Sequence, residues 1–234
     1  MKSETIVIGQ RRIAAEWHHG RSRKKLVITC HGYQSSGANS TLAAITSGLN
    51  KAGRDTVTFD FSTNLGGFDI EHQAQDVAQV IKHFDEYDEI VLLAASFGAL
   101  TAAIATVQNP KVTGLVTLNG FFGRSQLGQE YRKTYLKFRA AALVVPKYRK
   151  ILKYFKRELR PGLIKAPTLV VHSKVDTDVL IVQSQNFYRM LTGPKQFMEL
   201  ESANHGITAI RDRGKIIGMI NKWLAEAQGT LRVA

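Results

Sequence analysis

Cysteine and long apolar runs are scarce in this sequence of 234 residues. A single cysteine, Cys30, excludes an internal disulfide framework and fits a reducing compartment. No stretch approaches the roughly 18 consecutive apolar residues of a membrane-spanning helix. Residues 1–10 also lack the apolar run of a secretory signal. We therefore expect a soluble, cytoplasmic protein.

Cofactor signatures are also missing. The histidines and the cysteine show no zinc-binding spacing. There is no Gly-rich phosphate loop of the Walker type, and no dinucleotide-binding fingerprint follows a strand pattern. The sequence therefore predicts no metal site and no bound cofactor.

Acidic residues are few relative to basic ones. The chain has 19 Asp and Glu against 32 Lys and Arg, which gives a formal net charge of +13. Residues 121–165, called here the basic segment, hold thirteen Lys and Arg but two Glu, a net charge of +11. Such a balance often indicates nucleic acid, an anionic membrane or an acidic substrate as partner. The charge belongs to one part of the chain, so any such partner should meet that part.

Strand patterns alternate with helix patterns along most of the chain. Lys25–Cys30, Glu89–Ala95 and Val112–Leu118 are apolar runs typical of buried strands, whereas Ile70–Phe84 and Ile207–Ala227 have apolar residues at helical spacing. An antiparallel hairpin precedes them. This alternation predicts an α/β fold with a mostly parallel sheet and helices on both faces. The length fits a single domain over residues 1–234.

A serine stands between a buried strand and a buried helix. Ser96 has small residues, Ala94 and Gly98, two positions away on each side. A sharp strand-to-helix turn needs small residues there, because the backbones cross closely, and it lifts the hydroxyl above the sheet edge. The helix N-terminus would favour a developing negative charge. From these residues alone, a serine that merely caps the helix is an equal alternative.

The segment Ala94-x-Ser96-x-Gly98 resembles the nucleophile elbow of the α/β-hydrolase superfamily, with Ala94 in place of the more usual glycine. Other segments over most of the chain are similar to that superfamily as well. The resemblance implies a mostly parallel central sheet with helices on both faces and a short helical cap insertion. The basic segment occupies the place of that insertion.

The loop after strand Lys25–Cys30 adds to the resemblance. It begins His31-Gly32-Tyr33, and related hydrolases have a His-Gly loop there that supplies a backbone N–H to the oxyanion hole. The resemblance implies that the donors are the N–H groups of Tyr33 and Phe97, with His31 and Gly32 supporting the loop. A plain loop is the alternative.

Two later loops resemble the acid and histidine loops of the superfamily. Asp176 matches the acid position, although Ser173 stands where related sequences have glycine, and Asp178 is a nearby rival. His205 follows the last strand pattern and precedes the last helix pattern. The order Ser96, Asp176, His205 is that of the α/β hydrolases.

The resemblance implies a serine hydrolase in which Ser96 is the nucleophile, His205 the general base and Asp176 the acid that orients the histidine. A serine at the elbow argues against the related dehalogenases, which carry aspartate, and dienelactone hydrolases, which carry cysteine. The most similar branch contains small carboxylesterases, monoacylglycerol-lipase-like and cinnamoyl-type esterases. We therefore expect hydrolysis of a small-molecule carboxylic ester. A thioesterase, an amidase, an acyltransferase and a catalytically silent binding module remain alternatives.

The basic segment contains one further pattern. Over Lys147–Arg160, apolar residues at helical spacing form one face, and Lys and Arg fill most other positions. This pattern predicts a cap helix whose charges are merely solvated, or one that steers anionic substrates or touches an anionic membrane. Nucleic acid is a weaker choice, because no recognised nucleic-acid motif is present. The sequence does not predict an oligomeric state.

Overall fold

A computed structural model describes residues 2–33, 35–63, 69–123, 131–145, 149, 152 and 158–231. The strands are β1 (Ser3–Ile8), β2 (Ile13–His18), β3 (Ser22–Cys30), β4 (Arg54–Phe59), β5 (Glu89–Ala95), β6 (Val112–Leu118), β7 (Thr168–Ser173) and β8 (Lys195–Leu200). The helices are α1 (Ser40–Lys51), α2 (Ile70–His83), α3 (Gly98–Gln108), α4 (Tyr131–Val144), α5 (Ile181–Met190) and α6 (Ile210–Leu231). No helix in these described ranges is both long and apolar enough to cross a membrane.

The eight strands form one sheet in the order β1-β2-β4-β3-β5-β6-β7-β8. The N-terminal hairpin β1–β2 is antiparallel and attaches to β4 in an antiparallel sense. Every pairing from β4 to β8 is parallel. This arrangement confirms the predicted α/β class with a mostly parallel sheet.

Alternating side chains of the central strand β5 serve two cores. Ile90 and Leu92 pack with helices α2, α3 and α5 on one face, while Val91 and Leu93 pack with α1 and α6 on the other. Each fully buried aliphatic side chain contributes about 1.5–3 kcal/mol. A strand that is apolar at every position is therefore explained by burial on both sides.

The parallel strands place their carboxyl ends along one edge of the sheet. The loops after β3, β5, β6, β7 and β8 meet at this edge, which is where open α/β sheets bind ligands. The predicted site residues lie on four of these loops, namely those after β3, β5, β7 and β8.

One strand and one helix begin at a different residue from the one predicted, and the two predicted helices end at His83 and Leu231 rather than Phe84 and Ala227. Strand β3 begins at Ser22 rather than Lys25, with an irregular register between Ser22 and Leu26. Helix α6 begins at Ile210 rather than Ile207, because Ile207 has a left-handed φ of 49° and is buried in the core. In the basic segment, the structure describes α4 and a 3₁₀ turn at Pro161–Leu163. The predicted helix Lys147–Arg160 lies largely outside the described residues.

Candidate active site

Ser96 occupies a sharp turn between β5 and α3. Its backbone has a φ of 52°, in the left-handed region that non-glycine residues rarely adopt. The N-cap of α3 is Phe97, and its side chain makes no capping hydrogen bond. Ser96 is therefore not the N-cap of α3. The turn leaves Ser96 partly exposed at the edge of the sheet.

Gly98 allows α3 to begin against the end of β3. A Cβ at this position would lie 2.3 Å from the carbonyl oxygen of Cys30 and 2.5 Å from that of His31. Both are backbone atoms and cannot rotate away. The second small residue of the turn, Ala94, is completely buried. The spacing of small residues around Ser96 thus has the steric cause expected from the sequence.

The structure brings Ser96, His205 and Asp176 into one hydrogen-bonded row. His205 Nε2 lies 3.0 Å from Ser96 Oγ, and its Nδ1 lies 2.7 Å from Asp176 Oδ2. A carboxylate can only accept, so Nδ1–H donates to Asp176, which leaves Nε2 to accept the Ser96 hydroxyl proton. The arrangement can therefore move a proton from serine to histidine and stabilise the resulting cation.

Asp176 is held as a carboxylate. Its side chain is fully buried, and burial by itself raises the pKa. Hydrogen bonds from His172, His205 and the Val179 N–H outweigh that effect and hold the pKa of Asp176 well below its usual value. Asp178, the rival acid, is exposed and supplies only its backbone N–H to Asp176 Oδ1, at 2.9 Å.

His31 supports the loop that passes Ser96. Its ring is buried, with Nδ1 2.9 Å from the Gly32 carbonyl and Nε2 3.3 Å from the N–H of Phe61. The N–H of Phe61 can only donate to Nε2, so Nδ1–H donates to Gly32. Burial lowers the pKa of His31, and the Gly32 carbonyl and Asp60 oppose this only in part. His31 is therefore suited to fixing the loop as a neutral ring.

Gly32 and Tyr33 lie next to Ser96. A Cβ on Gly32 would stand 3.1 Å from Ser96 Cβ, so the backbone there runs against the serine. A cavity of about 180 Å³ opens beside them, lined by Gly32, Tyr33, Ser96, Leu118, His205 and Ile207 among others. The ring of Phe97 lies 5.9 Å from that of Tyr33 and stacks on Phe121 at 4.4 Å, measured between centroids. Four of the seven predicted site residues thus line the cavity. Each of the other three contacts one of these four: Asp176 contacts His205, His31 contacts Gly32, and Phe97 contacts Tyr33.

Asn119 is a site residue that the sequence analysis missed. It follows β6 directly, is 1% exposed and has a left-handed φ of 45°. Its Oδ1 accepts from the N–H of Ser173 at 2.9 Å. Its Nδ2 donates to the carbonyls of His205 at 2.9 Å and Asn204 at 3.3 Å. The one available signal was its place at the carboxyl end of a central strand.

Two hydroxyl groups also hold the histidine loop. Ser173 Oγ donates to the carbonyl of Ala203, and Thr41 Oγ1 donates to that of Gly206 at 2.6 Å. Glycine at position 173 could not make the bond from the Ser173 hydroxyl. Among the described residues, no group of three or more His, Cys, Asp and Glu could hold a metal ion.

Comparison with known proteins finds similarity in structure but not in sequence. No family model and no curated protein matches the sequence. A dienelactone hydrolase from Anabaena variabilis ATCC 29413 is similar in structure, with a TM-score of 0.73 and 17% identity over 96% of this chain and 97% of that one. Est1E from Butyrivibrio proteoclasticus with ferulic acid bound has a TM-score of 0.78 and 14% identity, over 96% of this chain and 99% of that one. The esterase domain of a Rhodothermus marinus protein has a TM-score of 0.70 and 15% identity, over 95% of this chain and 98% of that one. At such identities the likeness shows a fold shared along nearly the whole chain.

Proposed function

We propose that this chain, which has the α/β-hydrolase fold, is a serine hydrolase that cleaves a carboxylic ester of modest size. The observation that carries the proposal is the row of Ser96, His205 and Asp176, joined at 3.0 and 2.7 Å. The hydrolase and esterase names of its structural neighbours agree with it.

The proposed reaction has two halves. Ser96 Oγ attacks the ester carbonyl while His205 Nε2 takes the hydroxyl proton, and Asp176 stabilises the imidazolium. The backbone N–H groups of Tyr33 and Phe97 are the proposed donors to the oxyanion. His205 then protonates the leaving alkoxide, which departs as the alcohol and leaves an acyl-enzyme. Water, deprotonated by His205, releases the acid and restores Ser96.

The resemblance to small esterases favours an ester over other acyl substrates. The cavity beside Ser96 favours a substrate of modest size. A space of about 180 Å³ beside Ser96 has room for a compact group. A thioesterase, an amidase or an acyltransferase would use the same three side chains, and a silent binding module would use none of them. The acyl group and the leaving group are thus the part of the proposal that kinetics must define.

The test is covalent labelling with a fluorophosphonate probe, followed by a panel of p-nitrophenyl esters of rising chain length. We expect one label per chain, on the peptide that contains Ser96, and turnover that is greatest for short acyl groups. Ser96→Ala should lower kcat by about 10⁴-fold or more. Ser47→Ala, an exposed serine on α1, is the control and should behave like wild type. A folded Ser96→Ala protein with near-wild-type turnover would refute the proposal.

A second function is favoured by helix α4 of the basic segment. We propose that this helix docks on an anionic lipid surface. Leu136, Leu143 and Val144 are 54%, 78% and 83% exposed on it, and Arg139 is exposed between them. Exposed apolar side chains flanked by cations are typical of helices that lie in the membrane interface.

The charge of the basic segment selects the lipid among other occupants. Its net charge of +11 would repel the same surface of a second copy, whereas it complements anionic headgroups at about 1 kcal/mol per Lys or Arg near the surface. Nucleic acid would satisfy the cations, but its phosphates would leave Leu143 and Val144 without an apolar partner. An acidic lipid bilayer offers anionic headgroups to the cations and an apolar interior to Leu143 and Val144.

Vesicle co-sedimentation tests the lipid proposal. We expect binding to phosphatidylcholine vesicles that contain phosphatidylserine, none to phosphatidylcholine alone, and loss of binding at high salt. Leu143→Gln combined with Val144→Gln should weaken binding by at least about tenfold, because two apolar side chains no longer enter the interface. Val7→Gln on β1, where Val7 is 56% exposed, is the matched control.

A charge variant and an oligomer measurement complete this test. Arg139→Gln should weaken binding by about fivefold, whereas Arg21→Gln, an exposed arginine beside β3, should not. Equal binding to both lipids, no binding, or binding that ignores the α4 variants would overturn the proposal. Light scattering measures the oligomeric state. If it shows a dimer in wild type that dissociates in the two α4 variants, the partner of α4 is a second copy of the chain and not a membrane.

A further inference from the structure

We infer that Asn119 and Ser173 are positioning residues that set the His205 loop against Asp176 and Ser96. This inference rests on the proposed function, because it assigns a task within the same site. It concerns how three loops from three different strands keep their distances.

The chain on both sides of Asn119 is bonded to the nucleophile. The Ser96 N–H donates to the carbonyl of Leu118 at 3.0 Å, and the Phe121 N–H donates to the carbonyl of Ser96 at 2.9 Å. Both backbone groups of Ser96 are therefore held by residues adjacent to or two positions from Asn119. The backbone of Asn119 itself donates to the Val171 carbonyl on β7 at 3.0 Å.

The side chain of Asn119 extends this connection to the other two loops. Its amide oxygen accepts from Ser173, three positions before Asp176, and its amide nitrogen donates to the carbonyls of His205 and Asn204. One buried amide thus contacts the acid turn and the histidine loop from a segment bonded to Ser96. Among the described residues of the site, we find this three-way connection at Asn119.

Asparagine suits this position for two reasons. The left-handed φ of 45° is tolerated by asparagine and aspartate better than by most other residues. The bonding pattern also requires an acceptor and a donor on the same side chain. Aspartate would keep the acceptor for Ser173 but would turn an oxygen toward the carbonyl oxygens of Asn204 and His205. Asn119→Asp therefore removes the donation to the histidine loop with little change of shape.

Ser173 supplies a second connection to the same loop. Its hydroxyl donates to the carbonyl of Ala203, and its own carbonyl accepts from the Asp176 N–H at 3.4 Å. Ser173 is completely buried, so this bond is not shared with solvent. Replacing Ser173 with glycine would remove the hydroxyl while keeping the N–H that bonds Asn119.

The two connections matter because proton transfer depends on short distances. His205 must stay within hydrogen-bond reach of Ser96 on one side and Asp176 on the other. A misplacement of about 1 Å can cost roughly 100-fold in rate. Loss of the connections should therefore lower kcat far more than it changes KM.

The experiment compares Asn119→Asp and Ser173→Gly, singly and combined, with Asn50→Asp as matched control. Asn50 is buried, and its Nδ2 donates to the carbonyls of His18 at 3.0 Å and Arg54 at 2.9 Å, away from the site. We expect Asn119→Asp to lower kcat by roughly 10–100-fold with KM changed less than about threefold. Asn50→Asp should lower the melting temperature to a similar extent but leave kcat unchanged.

Two further readouts separate positioning from stability. The rate of fluorophosphonate labelling at Ser96 should fall with kcat in Asn119→Asp. The far-downfield proton resonance of the His205–Asp176 hydrogen bond should be visible in wild type and in Asn50→Asp, and should broaden or vanish in Asn119→Asp. In the double variant the loss of kcat should exceed the product of the single losses by about threefold or more, because each bond partly compensates for the other.

The outcomes separate this inference from the proposed function. A wild-type protein that neither labels nor hydrolyses any ester contradicts the proposed function, and the resonance alone then decides whether Asn119 positions His205. Wild-type activity with a folded Asn119→Asp variant within threefold in kcat overturns the positioning role. Equal loss of kcat in Asn50→Asp would overturn it as well, since the effect would then be general.

Discussion

The backbone N–H of Asp178 donates a hydrogen bond to Asp176, at 2.9 Å between N and Oδ1. The two candidate acids are therefore not equivalent. Asp176 turns its other oxygen to His205, while the Asp178 carboxylate lies exposed. Asp178 supports the acid through a backbone group that any residue at its position would provide, proline excepted.

Asparagine substitutions at the two positions should therefore differ strongly. We expect Asp176→Asn to lower kcat by about 10⁴-fold, because an amide can neither stabilise the imidazolium nor fix its tautomer. Asp178→Asn keeps the N–H and should retain kcat within a few-fold. Steady-state hydrolysis of a p-nitrophenyl ester measures both. A greater loss in Asp178→Asn would mean that the acid has been assigned to the wrong residue.

Acid should destabilise the protein through Asp176. Its pKa is lowered in the folded state, so its contribution to stability is fully present above the unfolded value of about 3.9. That contribution is lost as the pH falls from there toward the folded pKa, because the unfolded state binds the proton first. Urea unfolding at pH 6, 5, 4 and 3.5 should show a steeper loss for wild type than for Asp176→Asn. Parallel curves for the two proteins would contradict this expectation.

Cys30 should be inert in the native protein. It ends β3 fully buried, and burial raises the pKa of its thiol to about 12. We expect iodoacetamide at pH 8 to leave activity intact and to modify the thiol only after unfolding in urea, since the thiolate is the reactive form. Rapid inactivation by iodoacetamide would point to a cysteine rather than a serine nucleophile.

A pair of glycine substitutions tests the steric account of the elbow. Gly98→Ala forces a Cβ to within 2.3 Å of a backbone oxygen, so we expect destabilisation of about 1–3 kcal/mol or more and loss of activity. Gly218→Ala on α6 has nothing within 4 Å of its added Cβ and should stabilise by about 0.5–1 kcal/mol. Thermal unfolding measures both. A Gly98→Ala protein as stable as wild type would show that the backbones do not constrain this turn.

The fold could be predicted where burial dominates the sequence. Strands β5 and β6 match their predicted bounds because side chains on both faces are buried and most of them are apolar. The start of β3 was missed because Ser22–Lys24 are polar. Ile207 was assigned to the last helix for its apolar side chain, but it enters the core from a loop with a left-handed backbone.

The site could be predicted only in part, for a physical reason. Ser96, Asp176 and His205 were predicted because the segments around them resemble α/β-hydrolase motifs in the expected order, and their catalytic roles stay predictions. Asn119 was missed because its partners are backbone groups 54 to 86 positions away, and backbone partners leave no pattern of residue types. The geometry of a hydrogen-bonded loop depends on tertiary contacts, and the spacing of residue types along the sequence does not encode those contacts.

The left-handed backbone of Ser96 means that stability and the proposed catalytic role oppose each other at this residue. A non-glycine residue in that region costs about 1–2 kcal/mol, and glycine avoids most of the cost. Ser96→Gly should therefore unfold at a higher temperature than Ser96→Ala, although neither retains a nucleophile. Stability alone would favour glycine at this position, so a serine in this conformation agrees with its proposed role as nucleophile.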